Sequence, residues 1–171
     1  MSDSEIVDIV DENDNVLYQA SRAEAHAKGL LHRCAVAQLI NSRGEWILVK
    51  QASDRQDAGQ YVAPVGGHVL AGENPDDALK RETLEEIGFE QFQQKLVGKG
   101  IYRRTALGRD ENHYFLFYEI YSDIQPAITE EIADFEIFTK EKLREEIKQK
   151  PKKFGDAFYF TARAFYSELL E

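Results

Sequence analysis

Residues 67–89, GHVLAGENPDDALKRETLEEIGF, carry signals that start and stop a helix, with acids between them that a helix would gather on one face. Asn74 is a favoured N-cap, Pro75 suits the first helical position, Asp76 and Asp77 complement the helix dipole, and Gly88 is a stop signal. Inside those limits Glu82, Glu85 and Glu86 stand at i, i+3 and i+4 and so share a face. Three like charges within about 6 Å repel, which destabilises the chain unless something sits between them. A divalent cation removes that repulsion, and Mg²⁺ prefers oxygen ligands: one or two carboxylates plus water and substrate phosphates. Arg81 is placed to orient one carboxylate through a bidentate bond. The Gly66-Gly67 pair reads as a turn whose carbonyls can approach a metal because no Cβ blocks them. Glu-x-x-Glu-Glu by itself reads first as a solvated acidic face; its glycine, Glu73 and Arg81 neighbours shift the reading toward a site.

The remainder alternates strand and helix signals. EIVDIV (5–10) and NVLYQA (15–20) read as strands about the turn DENDN, and Ser21 can cap a short helix through Lys28 that Gly29 stops. Apolar runs at 32–41 and 45–51 flank Ser42-Arg43-Gly44, a hairpin signature. A polar loop at 52–60 precedes a short apolar piece, Tyr61 to Val65. Two long strands are expected around 94–103 and 112–122, separated by the polar loop TALGRDE, and another at 133–138. Thr139 can cap a helix over 140–149; Pro151 and Gly155 break the chain before an amphipathic helix at 156–170. The 171 residues suit one domain, 1–171, with N-terminal strands and a short helix over 1–31 and a C-terminal helix over 156–171. Too few βαβ units are present for a doubly wound sheet. The expected fold class is therefore α+β: an α/β/α sandwich with a mixed sheet between helices.

A net charge of −10 argues against broad nucleic-acid or anionic-lipid binding, though a bound cation can reverse the field locally for a small phosphorylated ligand. Cys34 is the only cysteine, so neither an intramolecular disulfide nor a cysteine-only zinc site is expected, in keeping with a reducing compartment. The first residues show neither a basic start nor an apolar signal region, and no apolar run is long enough to span a bilayer. A cytoplasmic location is expected.

Gly67, Glu73, Arg81-Glu82, Glu85-Glu86, Gly88 and the apolar Phe89 resemble the Nudix box at every charged and glycine position; Thr83 departs, standing where that family usually has an aliphatic residue. The resemblance implies a loop–helix–loop metal site and hydrolysis of a nucleoside diphosphate linked to another group. It implies Gly67, Glu82, Glu85 and Glu86 as metal ligands, with Glu82, Glu85 and Arg81 carrying catalysis. Glu85 would activate water, Arg81 would act from behind the ligands, and Glu73 would stabilise the loop–helix junction. The cofactor would be Mg²⁺, or Mn²⁺, and the substrate a small-molecule diphosphate. A homodimer is compatible with the sequence.

Residues 5–15, AHAKGLLHR (25–33) and Val65-Gly66-Gly67-His68 also resemble the branch of that family around type I isopentenyl-diphosphate isomerase. Those isomerases bind a metal through histidines near the positions of His26, His32 and His68 and a downstream Glu-x-Glu pair. They also use a cysteine just before the Gly-His pair. Here Gly66 stands at the cysteine position and the pair reads Glu111-Asn112-His113. An alkene isomerase needs an acid and a base on opposite sides of its substrate, so hydrolysis is the leading reading. Isomerase-like chemistry and a non-catalytic ligand-binding module are the alternatives. The retained glutamate trio argues against the second.

His68, Glu111 and His32 are candidates for substrate or an additional metal. His26, His32 and His113 read first as structural residues, since ligand histidines need convergent partners that a sequence does not display. Glu111, at a loop-to-strand junction, and Glu130-Glu131, in a loop, read first as surface. Lys50, Arg103 and Arg104 could steer phosphate. Tyr114–Tyr118 reads as core.

Overall fold

A computed structural model describes residues 3–171. Its organising strand is β3, fully apolar in its middle. Numbering in chain order, β1 (Ile6–Val10) and β2 (Val16–Ser21) form a hairpin, and Ser21 caps α1 (Arg22–Lys28) by accepting from the Glu24 amide at 3.1 Å. Gly29, at φ 61°, ends that helix as expected. Then come β3 (His32–Ile40), β4 (Trp46–Gln51), β5 (Tyr61–Val62) and β6 (Val65–His68). The helix α2 (Pro75–Ile87) runs from the Asn74 cap to Gly88, followed by β7 (Gln93–Ala106), β8 (Arg109–Tyr121) and β9 (Ile132–Phe138). The chain closes with α3 (Lys140–Gln149), capped by Thr139, and α4 (Asp156–Phe165).

One edge of β3 is shared by three antiparallel partners in succession: β1 at His32, β6 from Cys34 to Ala37, and β4 at Leu39 and Ile40. The other edge is held along its whole length by β8, in parallel. The remaining ladders, β1–β2, β4–β5, β4–β9 and β7–β8, are antiparallel, so the sheet is mixed.

Strand periodicity decides which helix covers which face. On β8 the odd-numbered His113, Phe115 and Phe117 point one way: Phe115 meets Phe160 and Phe117 stacks on Phe165, both of α4. The even-numbered Tyr118 points the other way and donates through its hydroxyl to Asp76 of α2. Helices therefore lie on both faces, and the α/β/α sandwich holds. Leu39, Leu48, Leu79, Phe117, Phe138, Phe154 and Phe158 are fully buried, each contributing roughly 1.5–3 kcal/mol relative to exposure.

Three local expectations need correction. The loop expected at 105–111 is only a two-residue turn: Leu107 and Gly108, at φ 52° and 71°, join strands that pair through Ala106 and Arg109. Positive φ at both central residues suits the twist of a hairpin, so the strands run on into residues that look polar in sequence. The last helix stops at Phe165, and Ser167–Leu170 form a 3₁₀ turn. Gly66 and Gly67 form no turn; they lie inside β6, paired with Val36 and Ala35.

Candidate active site

Glu82, Glu85 and Glu86 share a face of α2, but that face is not uniformly exposed. Glu82 is fully buried, Glu86 half-buried and Glu85 exposed. Glu82 packs against β6 at Gly67, where a Cβ would lie 2.0 Å from its carboxyl carbon. Gly67 is thus required for the carboxylate to approach the strand at all, a demand that the expected turn did not contain.

Arg81 organises this corner. It grips Glu73 with two bonds of 2.9 Å, donates to Glu82 Oε1 at 2.6 Å, and donates to the His68 carbonyl at 2.9 Å. The bidentate partner is therefore Glu73, which also accepts from the Leu70 amide at 2.9 Å and ties the loop to the helix. Gly66 donates its amide to Glu86 Oε2 at 2.9 Å. Thr83 is buried with its hydroxyl on the Leu79 carbonyl at 2.6 Å, so the departure from an aliphatic residue is absorbed within the helix.

Glu82 Oε2 is buried without a partner. Burial pushes the Glu82 carboxyl up to about 7 against the pull of Arg81, and burial pushes Glu86 well above the usual carboxylate range. Glu5 and Glu131 join the trio around a cleft of about 350 Å³. An unpaired buried oxygen facing four further carboxylates is an environment that a hard divalent cation fits. Glu131 reads as surface in the sequence, and nothing local connects Glu5, from the segment before β1, to α2.

The histidines converge. His32 of β3 pairs with His113 of β8, and His68 of β6 pairs with Cys34, two residues along β3. Directly opposed residues share a face, so the three rings project together, and α1 adds His26 above them. The four imidazoles are buried, with one ligand nitrogen from each lying within 4.8 Å of the others. His32 and His68 stack at 5.1 Å, and His26 Nε2 faces His113 Nε2 at 3.4 Å. Burial holds all four below the ordinary histidine range, His26 down to about 4. The rings are therefore neutral at pH 7, with lone pairs available. Both His68 nitrogens, His32 Nε2 and His26 Nδ1 have no hydrogen-bond partner. Each such buried group costs about 1–3 kcal/mol.

Glu111, expected at a junction, lies within β8 and is almost fully buried. Its carboxylate accepts from Arg104 Nε at 3.0 Å, while Arg104 also donates to Asp57 at 2.8 Å. Arg104 is thus engaged by these two acids, and it also lines the cavity described next. Lys50 and Arg103 do not line the cavity described next.

A cavity of about 410 Å³ opens between the two clusters, in the size range of small-ligand sites. Arg22, Arg55 and Arg109 line it, with Glu86 and Glu131 on one side and His26, His68 and His113 on the other. Arg22 is largely buried, within 3.7 Å of Glu5, while its Nε has no hydrogen-bond partner. None of these arginines stood out in the sequence. Among the described residues, no helix is long and apolar enough to cross a membrane.

The family model for the NUDIX domain matches residues 30–158. A Nudix hydrolase of Streptomyces coelicolor described as uncharacterized is 44% identical over 88 residues; the match spans 51% of this chain and 49% of that protein, so about half the length of each. An isopentenyl-diphosphate Delta-isomerase of Photorhabdus laumondii is 29% identical over 86% of this chain and 84% of its own length. The crystal structure of the Deinococcus radiodurans protein DR0079 superposes with a TM-score of 0.73, covering 95% of this chain and 99% of that one at 23% identity. That last likeness speaks for the fold alone.

Proposed function

The chain belongs to the Nudix hydrolase family, and from that premise we propose that it hydrolyses a diphosphate linkage in a nucleoside diphosphate derivative or related small molecule, with Mg²⁺ or Mn²⁺. The observation that carries this reading is the Glu82 corner: a buried, unpartnered carboxylate oxygen set against a glycine that cannot be replaced without collision. When bound there, the cation neutralises phosphate oxygens and lowers the pKa of coordinated water. Glu82, Glu85 and Glu86 hold it, together with the Gly67 carbonyl. Arg81 acts as a positioning residue, locking Glu82 to Glu73 and to the β6 backbone. Glu85, the exposed member of the trio, takes the proton from the attacking water. Arg22, Arg104 and Arg55, the last paired with Glu131, supply positive charge at the cavity wall for the diphosphate.

The isomerase relative does not move this reading. Gly66 offers no side chain to protonate an alkene, and Glu111 is committed to Arg104. A phosphate-release screen over nucleotide sugars, dinucleoside polyphosphates, nucleoside triphosphates and isoprenoid diphosphates tests the proposal. Metal-dependent turnover that disappears in Glu85→Gln is the expected result. Turnover that persists in that variant, or none on any diphosphate with either metal, would overturn it.

A further inference from the structure

We propose that Asp57 is a positioning residue for the substrate: it latches the loop 52–60 to Arg104 and to the start of α4, and so sets Arg55 at the wall between the cavity and the carboxylate cleft. The role presupposes that this cavity takes the diphosphate.

The loop is closed at its base by Gln51, whose amide donates to the Gln60 carbonyl at 3.0 Å and whose carbonyl accepts from the Gly59 amide at 2.9 Å. A polar surface loop has no apolar core to hold it, so its shape depends on the hydrogen bonds its side chains find. Asp57 is where this loop finds them. Its side chain is only 7% exposed. Three donors converge on its carboxylate: Arg104 Nη1 at 2.8 Å, the Asp156 amide at 3.2 Å and the Ala157 amide at 3.4 Å. Its backbone stands at φ 54°, in the left-handed region that Asp and Asn tolerate better than most residues. Gly155 permits the approach, since a Cβ there would lie 2.7 Å from both Cβ and Cγ of Asp57. Arg104 carries the latch onward to the sheet and back to the loop. Its Nε donates to Glu111 of β8 at 3.0 Å and its Nη2 to Gln56 at 3.1 Å.

Arg55 precedes Asp57 by two residues and starts the same turn, its amide donating to the Ala52 carbonyl at 3.1 Å. It lines the cavity and pairs with Glu131, which lines the cleft beside Glu82, Glu85 and Glu86. That pair is nearly half exposed, so it fixes the guanidinium only weakly. The placing of Arg55 must then come from the backbone that carries it. A guanidinium grips phosphate through two parallel bonds and needs a fixed approach to do so. A loop latched in advance removes the ordering that binding would otherwise require. With its oxygens engaged by three donors, Asp57 acts through the loop rather than on the substrate.

The test measures, by calorimetry in Mg²⁺, how the full chain binds methylenediphosphonate, a diphosphate mimic that cannot be hydrolysed at its bridge. Arg55→Gln should weaken binding more than about 10-fold, the scale of a lost hydrogen bond to a charged group. Asp57→Gly removes the carboxylate without forcing a Cβ into the left-handed region, and should weaken binding by a similar factor. The two together should be no worse than Arg55→Gln alone, because one acts through the other. Asp57→Asn keeps an acceptor for Arg104 and the Asp156 amide and should retain most of the affinity. Gly155→Ala displaces Asp57 from outside the cavity, and takes the place of Asp57→Gly in the same cycle if that variant does not fold. Additive losses in the double variant, or unchanged binding in either single one, would overturn the proposal. So would an Asp57→Asn variant as weak as Asp57→Gly, no binding to the wild-type chain, or failure of both loop variants to fold. The expected cycle without turnover of any diphosphate would instead overturn the hydrolase reading and leave the positioning role standing.

Discussion

The carboxylate cleft and the imidazole cluster meet across one short strand. Gly67 turns toward Glu82 on α2, and its neighbour His68 turns the other way, toward the three other histidines. One set is rich in oxygen, graded from buried to exposed, and drawn largely from five consecutive residues of one helix. The other is all nitrogen, buried, and assembled from α1, β3, β6 and β8, with partners up to 87 residues apart. A site built on helical periodicity is written in local spacing, whereas a site built on strand register exists only once the sheet has formed. The two clusters also differ in donor chemistry: oxygen ligands suit hard cations, whereas imidazole suits zinc-like ones.

The largest effect that would break this division is catalytic. Glu85→Gln should lower kcat on the true substrate by at least ~100-fold, the scale of a lost general base, while leaving the melting temperature unchanged because the side chain is exposed. Steady-state kinetics beside a thermal melt checks both halves. Full activity in the variant would take the chemistry away from the helix face.

A second effect is steric. Gly67→Ala places a Cβ 2.0 Å from the Glu82 carboxyl carbon, with buried surroundings that cannot yield freely. The expected loss is about 1–3 kcal/mol of stability, as for other overpacked sites, measured by urea denaturation. Gly66→Ala, where nothing lies within 4 Å, should be close to neutral and serves as the control. Equal losses in the two variants would mean that backbone freedom, rather than the approach of Glu82, explains the glycine pair.

A third, smaller effect is linkage. If the glutamates repel without a cation, Mg²⁺ at tenfold above its dissociation constant should add about 1.4 kcal/mol to stability. Replacing Glu82 and Glu85 together by Gln should raise the stability of the metal-free protein and remove that gain. A melting curve indifferent to Mg²⁺ and Mn²⁺, with a diphosphate present, would count against the cleft as a metal site.

These tests follow the line between what was legible in the sequence and what was not. The caps at Ser21, Asn74 and Thr139, the stops at Gly29 and Gly88, and the acid spacing on α2 are local chemistry and read directly. The Leu107-Gly108 turn is not legible in the sequence because polar strand residues on an exposed hairpin look like loop. The convergence of four histidines, the diversion of Glu111 to Arg104, and the entry of Glu5 into the acid cleft all depend on pairing between distant segments. Alternation within β3 and β8 would have placed His32 and His113 on interior faces, but only their register makes them partners.

The smallest effect expected is none at all. Incubated with isopentenyl diphosphate and Mg²⁺, the protein should give no allylic isomer when the vinyl protons are followed by NMR. Protonating an unactivated alkene demands a strong, well-placed acid, and the resulting cation must lose a proton from another carbon to a second group. Gly66 can be neither. His113 is buried among three other imidazoles and held neutral, first by burial and then by His32 and His26, so it is a poor acid toward carbon. Its charged form would repel a carbocation beside it. Glu111, the one carboxylate left from the expected pair, is bound to Arg104 and would have to abandon that buried partner to act as a base. Attack at phosphorus needs none of these groups, only the glutamates across β6. Allylic product formed at an enzymatic rate would therefore do more than add an activity. It would mean that the imidazole side performs proton transfer, and the assignment of the chemistry to the carboxylate face would have to be reversed.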